Sequence, residues 1–264
     1  MNGSNGSNLG VNLAFTKFLF VTPSRDDDAA RTRLRAAGSV VARGFFNDFE
    51  ADGSREGQPH ETIQFLVVEG ETHPDSAMAA ARYAVQVSGK YRPRLIEVET
   101  DLRRRIGEIA GIFAIEGALR SPMYTSHTLH EFAYKPAGQR RPGRQSPMAL
   151  VLPISKSQEW WQRDALERHA FFYPHVDPTT GCPALGHARA AEEGIAVLYR
   201  RLFHNPDGYQ QPGEYDFITY FECAPEHVAT FERVHAALRD TSKNPEWRFV
   251  TEGPLWKGRR VLKW

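Results

Sequence analysis

The sequence predicts an α+β fold in which one strand-and-helix unit is built twice. Three observations carry this. Short apolar strand-like runs alternate with polar, Ala-rich helical stretches along most of the chain. A strand followed by a helix recurs at near-constant spacing. The run ending at Glu69 precedes a helical stretch near Asp75, and the run ending at Glu222 precedes one near Glu226, with offsets of 222 − 69 = 153 and 226 − 75 = 151. Between the two copies lies a Pro/Gly/Arg-rich segment, 135–147 (KPAGQRRPGRQSP).

Residues 1–10 are Gly/Ser/Asn and predict a flexible tail. Residues 14–21 (AFTKFLFV) predict a strand. Residues 26–37 open with three Asp, which suit the N-terminus of a helix. Residues 39–47 and 62–69 (TIQFLVVE) predict two further strands around a polar loop, 51–60. Residues 74–88, with Pro74 near the start and Ala-rich turns after it, predict a helix. Residues 94–99 (RLIEVE) alternate as a strand does. Residues 101–134 fall outside the repeat and predict an extra helix and a strand-like connection.

In the second copy, 148–154 (MALVLPI) predicts a strand. Residues 187–199 predict a helix running into a strand at 200–204. Residues 215–222 (YDFITYFE) predict a strand and 226–239 a helix, and 247–251 could close the set. The order is β-α-β-β-α-β twice, the ferredoxin-like module, with halves at 11–134 and 148–264. Helices cover one face of each antiparallel sheet. The uncovered faces must find cover, so the sheets are expected to pack face to face as an α+β sandwich or barrel.

Composition bounds the function. The chain has 264 residues, 41 % hydrophobic and 25 % charged, with 33 − 32 = +1 net charge. That is a globular composition with enough apolar residues for a sizeable core. It argues against disorder and against a nucleic-acid partner bound through bulk positive charge. No apolar run reaches the roughly 18 residues of a membrane helix, and the first residues lack a secretory pattern, so no membrane partner is expected. Two cysteines, Cys182 and Cys223, cannot make a disulfide framework and suit a reducing cytoplasm. No G-x-S-x-G, P-loop or G-x-G-x-x-G occurs, which lowers hydrolase, NTPase and dinucleotide readings.

Several residues carry chemistry. Trp160–Trp161, after Lys156, offer a flat apolar wall for a planar ligand with an ammonium at its edge, or simply core. Strand alternation puts Arg200 and Leu202 on one face and Arg201 and Phe203 on the other, so one arginine points inward and needs an anion or a carboxylate partner. His187 opens a helix. A lone histidine is most often structural. His127 and His130 lack a second ligand pair, which weakens a zinc reading. Cys182 with His187 lacks an orienting Asn or Asp.

Three stretches, MALVLPISKSQEWW (148–161), LYRRLFH (198–204) and YDFITYFE (215–222), together resemble the chlorite dismutase superfamily of haem proteins. The N-terminal half is similar only in architecture and in SPMYTSH (121–127). The resemblance implies two ferredoxin-like halves, haem b or coproheme in the C-terminal half, and a homo-oligomeric ring, often a pentamer. Counted back without a gap from 202–204, the proximal haem-ligating histidine falls on His187 and the distal arginine on Arg200. Lys156 and Trp160 fall on residues that contact the haem edge and propionates, and Tyr124 on a propionate-binding tyrosine. Counted forward from Trp160–Trp161, the ligand falls instead on His175, about 12 residues away (187 − 175), with 171–182 as an insertion. His187 is preferred, because its segment needs no gap. The glutamate that orients the proximal ring falls near Lys243–Glu246, on Asn244 or Glu246.

Neutral imidazole suits iron, and a permanently charged guanidinium suits a small anionic substrate. The implied function is a haem-dependent oxidoreductase acting on chlorite or peroxide. The alternatives are a coproheme decarboxylase, with Tyr124 as its tyrosine, and a non-catalytic haem-binding protein.

Overall fold

The computed structural model describes residues 14–25, 27–47, 61–120, 126–139 and 146–264. The expectations for Tyr124, for the N-terminal tail and for the loop 51–60 lie outside them. The chain begins with β1 (Ala14–Pro23), α1 (Asp28–Ala42), β2 (Phe46–Asn47), β3 (Thr62–Val68), β4 (Tyr83–Gly89), α2 (Arg92–Ile106) and β5 (Ala110–Leu119). A second helical region holds α3 (His127–Leu129), a π-helical turn (His130–Tyr134) and α4 (Lys135–Ala137). There follow β6 (Met148–Lys156), α5 (Gln158–Gln162), α6 (Ala165–Ala170), β7 (His175–Val176), β8 (Pro183–Ala184), α7 (Gly186–Ala190) and α8 (Glu192–Ile195). The chain ends with β9 (Tyr199–His204), β10 (Phe217–Cys223), α9 (Val228–Arg239), a 3₁₀ turn (Pro245–Phe249), β11 (Val250–Glu252) and β12 (Trp256–Val261).

Eight of these strands close an antiparallel barrel in the order β10-β9-β5-β1-β4-β3-β12-β6, and β6 pairs back with β10. The first half contributes β5-β1-β4-β3 and the second β9-β10-β6-β12. They join edge to edge, at Ala118↔His204 on one side and Gly258↔Val68 on the other. The expected barrel is therefore present, closed through its sheet edges. Closure removes the open edges that two separate sheets would expose.

Period-two alternation sorts the side chains. On β1, Phe18 and Phe20 point into the barrel, against Phe203, Tyr220 and Trp256. Leu19 and Val21 point outward, onto a layer built with Leu34 of α1 and Leu95, Val98 and Leu102 of α2. Both faces of β1 are buried, which is why 14–21 is nearly continuous in apolar residues. A polar group crosses the interior: Tyr220 Oη is within hydrogen-bond distance of Gln64 Oε1 at 3.1 Å and Glu222 Oε1 at 2.9 Å, and Arg260 pairs with Glu222 at 2.7 Å.

Several elements differ from their sequence expectation. Residues 39–47 do not form a full strand. Helix α1, capped by the Asp27 side chain on Ala30 N at 2.7 Å, carries its buried row Leu34, Ala37, Val41 past that point, and only Phe46–Asn47 pairs. Residues 74–88 are not a helix. Their second part is β4, held between β1 and β3, and ladder pairing overrides the helix preference of alanine. Residues 94–99 are not a strand. The buried positions Leu95, Val98, Leu102 and Ile106 are spaced for a helix, and six residues were too short a window to separate the two periods. Residues 101–134 do not stand outside the pattern: they contain the end of α2 and β5, a barrel strand. The single helix expected at 187–199 is two short ones, α7 and α8. The closing strand is β12; 247–251 holds the 3₁₀ turn and β11 on the edge of β6. The strand that feeds a helix in the first half is β4, so the offsets to β10 and α9 are 223 − 89 = 134 and 228 − 92 = 136.

Candidate functional site

The outer face of β6, β9 and β10 is not sealed. Leu152, Ile154, Arg200, Leu202, Phe217 and Thr219 look across a cavity at the helix layer. That layer contributes Leu129, Ala133 and Tyr134 from 126–137, His187 and Ala188 from α7, and Val234 and Leu238 from α9. The enclosed part of the void is about 110 Å³, below the roughly 300–1,000 Å³ of ordinary small-ligand pockets, and it opens to solvent. Its walls are apolar apart from a few charged and polar groups.

His187 stands at the start of α7. Gly186 sets it there: its φ is +75°, and a Cβ at that position would lie 2.3 Å from the Tyr173 carbonyl oxygen. No L side chain fits, so the chain turns sharply into the helix. His187 Nδ1 donates to Glu246 Oε2 at 2.7 Å, and Lys156 Nζ donates to Glu246 Oε1 at 2.5 Å. Lys156 and Glu246 are almost fully buried. Burial alone pushes the Glu246 carboxyl up, but the Lys156 ammonium and the His187 ring outweigh it and hold the group well below the usual carboxylate range. Burial loosens the Lys156 proton, and the Glu246 and Asp216 carboxylates oppose that. Among the described residues none hydrogen-bonds His187 Nε2. Phe172 lies 5.3 Å from the imidazole and Trp247 6.4 Å, centroid to centroid.

On the opposite wall, alternation along β9 brings Arg200, Leu202 and His204 to the cavity and buries Phe203 inside the barrel. The Arg200 guanidinium sits over the Tyr134 ring, 5.5 Å from its centroid. At the α9 end, Glu252 accepts from Trp247 Nε1 at 2.8 Å, His235 Nε2 at 3.2 Å and Arg239 Nε at 2.9 Å. Burial pushes Glu252 up, yet these donors and charges hold it at about 2. His204 is held at about 4, by burial first and the Arg120 charge second, so its ring is neutral near pH 7.

Of the residues singled out in the sequence, Lys156, His187 and Arg200 come together on this cavity. Trp160 is fully buried behind it, against Phe171 and Phe249, with Lys156 Nζ 4.1 Å over its ring; it is not among the lining residues. His175 does not line the cavity either. Its Nδ1 meets the Tyr173 carbonyl at 2.8 Å in the β7–β8 hairpin. Of the two candidates beside the proximal ring, Glu246 makes the contact, and Asn244 instead donates to the Leu238 carbonyl. Tyr134, His235 and Trp247 were not singled out. Nothing local marks them, because only the helix layer brings them to the cavity.

The donor set fits a haem. One imidazole nitrogen backed by a carboxylate, apolar walls and a cation opposite suit an iron porphyrin. Among the described residues no group of three or more His, Cys, Asp or Glu could hold a bare metal ion. None of their helices is long and apolar enough to cross a membrane.

No known family's sequence profile matches the chain, and no curated protein sequence matches it. Solved structures do. Chlorite dismutase from Candidatus Nitrospira defluvii in complex with imidazole is 18 % identical, with a TM-score of 0.65 over 94 % of this chain and 91 % of that one. A variant of the same protein in complex with cyanide gives 18 % and 0.65 over 94 % and 90 %. A further protein described as a chlorite dismutase gives 14 % and 0.61 over 94 % and 95 %. The chain thus has the chlorite dismutase-like fold, a mixed α/β architecture around a closed eight-stranded barrel.

Proposed function

We propose that the chain is a haem-dependent oxidoreductase of chlorite dismutase type, acting on a small oxidant such as chlorite or peroxide. The observation that carries this is the pairing, across one apolar cavity, of the His187–Glu246–Lys156 array with Arg200. Structures of the Nitrospira protein include variants of one arginine and of two adjacent tryptophans. Here Arg200 and Trp160–Trp161 are the matching residue types at or behind the cavity. The β-α-β-β-α-β order of each half, with boundaries at 11–134 and 148–264, supports the reading of a duplicated ferredoxin-like unit.

When bound, haem would supply iron-centred oxidation and reduction. His187 would hold it through Nε2, since Nδ1 is engaged. Glu246, kept ionised by Lys156, draws on the Nδ1 proton and raises the basicity of the ring. The Arg200 guanidinium, a planar cation with several N–H donors, can hold a small anion, or the oxygen leaving a peroxide, against the opposite wall. The Tyr134 ring braces the guanidinium without neutralising it. Apolar side chains such as Leu152, Leu202 and Val234 keep water from that anion. Nothing among the described residues favours the decarboxylase reading, whose tyrosine would be Tyr124.

Titration of the purified chain with haem b tests this. The expected result is a Soret band saturating near one haem per chain, absent in His187→Ala. The bound wild type should consume chlorite or peroxide, and Arg200→Ala should keep the band and lose turnover. No specific band in the wild type would overturn the reading. The resemblance also supports a homo-oligomer, for which light scattering should return a multiple of the 29.8 kDa chain.

A further inference from the structure

Beside the cavity, outside the His187–Glu246–Lys156 array, four side chains form a connected stack. The Trp161 and Tyr209 rings lie 4.1 Å apart, 14° from parallel. The Tyr209 hydroxyl is 2.8 Å from His204 Nδ1. Phe217 touches both aromatic rings, at 6.0 Å from Trp161 and 5.3 Å from Tyr209. His204 and Phe217 line the cavity, while Tyr209 and Trp161 are half-buried and reach the surface.

We propose that Tyr209 is a redox-active tyrosine that relays single electrons from a small phenolic donor at the surface to a peroxide-derived oxidant in the cavity. This rests on the haem reading above for its oxidant, and on local geometry for everything else. Oxidising a phenol makes its hydroxyl strongly acidic, so the step needs a base already in hydrogen-bond contact. His204 Nδ1 is that base. Its ring is uncharged at neutral pH, and burial keeps the Tyr209 phenol above its ordinary value and therefore protonated. The charged groups around the pair are Arg120, Arg168 and Asp216. Moving the proton together with the electron avoids a phenol radical cation beside the two arginines and leaves the positive charge on His204.

The loop is built to hold this stack. Gly208 has φ +109° and Gln210, a non-glycine, φ +59°. Left-handed backbone at glutamine is costly and persists where the surroundings fix it. Here the buried Asp216 fixes it: its carboxylate accepts from the Gln210 backbone N–H and from Trp161 Nε1 at 3.2 Å, so one side chain positions both rings.

The step balances as follows. Tyr209–OH gives one electron to the peroxide-derived oxidant and its proton to His204 Nδ1, leaving a neutral tyrosyl radical and an imidazolium. The radical then takes one electron from the phenolic donor and recovers the proton from His204. The donor loses its own proton to solvent and leaves as a phenoxyl radical.

Electron paramagnetic resonance on two preparations of the full chain tests the relay. In one, haem-loaded protein is frozen after mixing with hydrogen peroxide. In the other, haem-free protein is oxidised by flash-generated tris(bipyridyl)ruthenium(III), which needs no bound cofactor. A tyrosyl signal is expected in both. In Tyr209→Phe it should disappear from the first and fall by more than half in the second; in Tyr91→Phe, on the exposed surface, the first should be unchanged. His204→Phe should lower the yield in both while the near-ultraviolet circular dichroism of the stack is retained. If the peroxide signal survives Tyr209→Phe, or arises only with ruthenium, the relay is overturned. If haem does not bind but the ruthenium signal is lost in Tyr209→Phe, the haem reading fails and Tyr209 remains the oxidisable site. If that signal also persists, both fail.

Discussion

The two halves of the barrel present outer faces of the same kind to two very different helix layers. Over the first half, α1 and α2, each of 15 residues, lay Leu34, Ala37, Leu95, Val98 and Leu102 flat onto the sheet and fill it. Over the second half, α9 is the one long helix, and the rest is α7 and α8, of five and four residues, with the segment 126–137. Short helices carrying Ala188 and Gly194, with Ala191 between them, cannot fill the space, and a cavity stays open. The charges follow the same division. Lys17 on the first face is closed off by Glu99 at 2.6 Å and Glu116 at 3.3 Å. On the second face, the Lys156–Glu246 pair is completed by a histidine that also meets the cavity. One sheet frame thus becomes core or site according to the size and length of what covers it.

The sharpest way to break this comparison is to remove the group that separates the faces. His187→Ala is expected to weaken haem binding by more than the roughly 10–100-fold typical of losing an outer partner, measured by Soret titration. His175→Ala should bind normally, and the reverse pattern would move the ligand to His175. Next in size is Glu246→Gln. It leaves a buried ammonium without its hydrogen-bonded carboxylate, with only the more distant Asp216 charge remaining, at a cost of about 3–5 kcal/mol, and loosens haem about tenfold or more. Lys156→Met combined with Glu246→Gln should recover much of the stability but not the affinity. If the double variant is no more stable than Glu246→Gln in urea unfolding, the pair is not what the single substitution breaks.

Leu95→Ala tests the sealed face. The side chain is fully buried between α2 and the sheet, and its truncation should cost about 2–5 kcal/mol, roughly 5–15 °C in Tm at this chain length. Haem affinity should be unchanged where the chain is folded. A loss of affinity without loss of stability would mean that the two faces are coupled through the barrel.

How much of this was legible in the sequence follows from the range of each interaction. Strands with both faces buried, such as 14–21 and 148–154, are nearly continuous apolar runs and show directly. Alternation within six residues put Arg200 and Arg201 on opposite faces, and the family resemblance picked out Arg200. Residues 74–88 and 94–99 misled because alanine content and a six-residue alternation are local signals, while β4 and α2 are decided by pairing and packing with β1, β3 and α1. At the site, His187 was reachable through its ungapped spacing to Arg200. Glu246 lies 59 residues from it and Lys156 a further 31 on the other side (187 − 156), so the three-way contact is invisible until the chain closes. Tyr209 sits in a polar loop whose Asp216 anchor gives no sequence signature beyond a single aspartate.

The smallest expected effect, and the one that separates the layers in a single experiment, is their response to acid. Glu252 ties α9 to the 3₁₀ turn through His235, Arg239 and Trp247, and titrates at about 2 in the fold against 4.5 for a free side chain. A carboxyl lowered in this way stabilises fully above the unfolded value, and that contribution is lost as pH falls from 4.5 toward 2. His204 acts in an adjoining window. Held at about 4 against 6.5, it is neutral in the fold while the unfolded chain takes up a proton, so its contribution is complete above 6.5 and declines toward 4. Both groups belong to the second half. Glu99, lowered by Lys17 and Arg103 against its burial, is the corresponding acid beneath α2. Hydrogen exchange followed by mass spectrometry from pH 7 to 3, corrected for the intrinsic rate, should therefore show α9 losing protection before α2. Glu252→Gln keeps an acceptor for Trp247 and Arg239 but cannot titrate, so it should be less protected at pH 7 and lose less between 4.5 and 3. Equal loss in α2 and α9, or the same acid slope in the variant and the wild type, would show that the open layer is no more acid-sensitive than the sealed one.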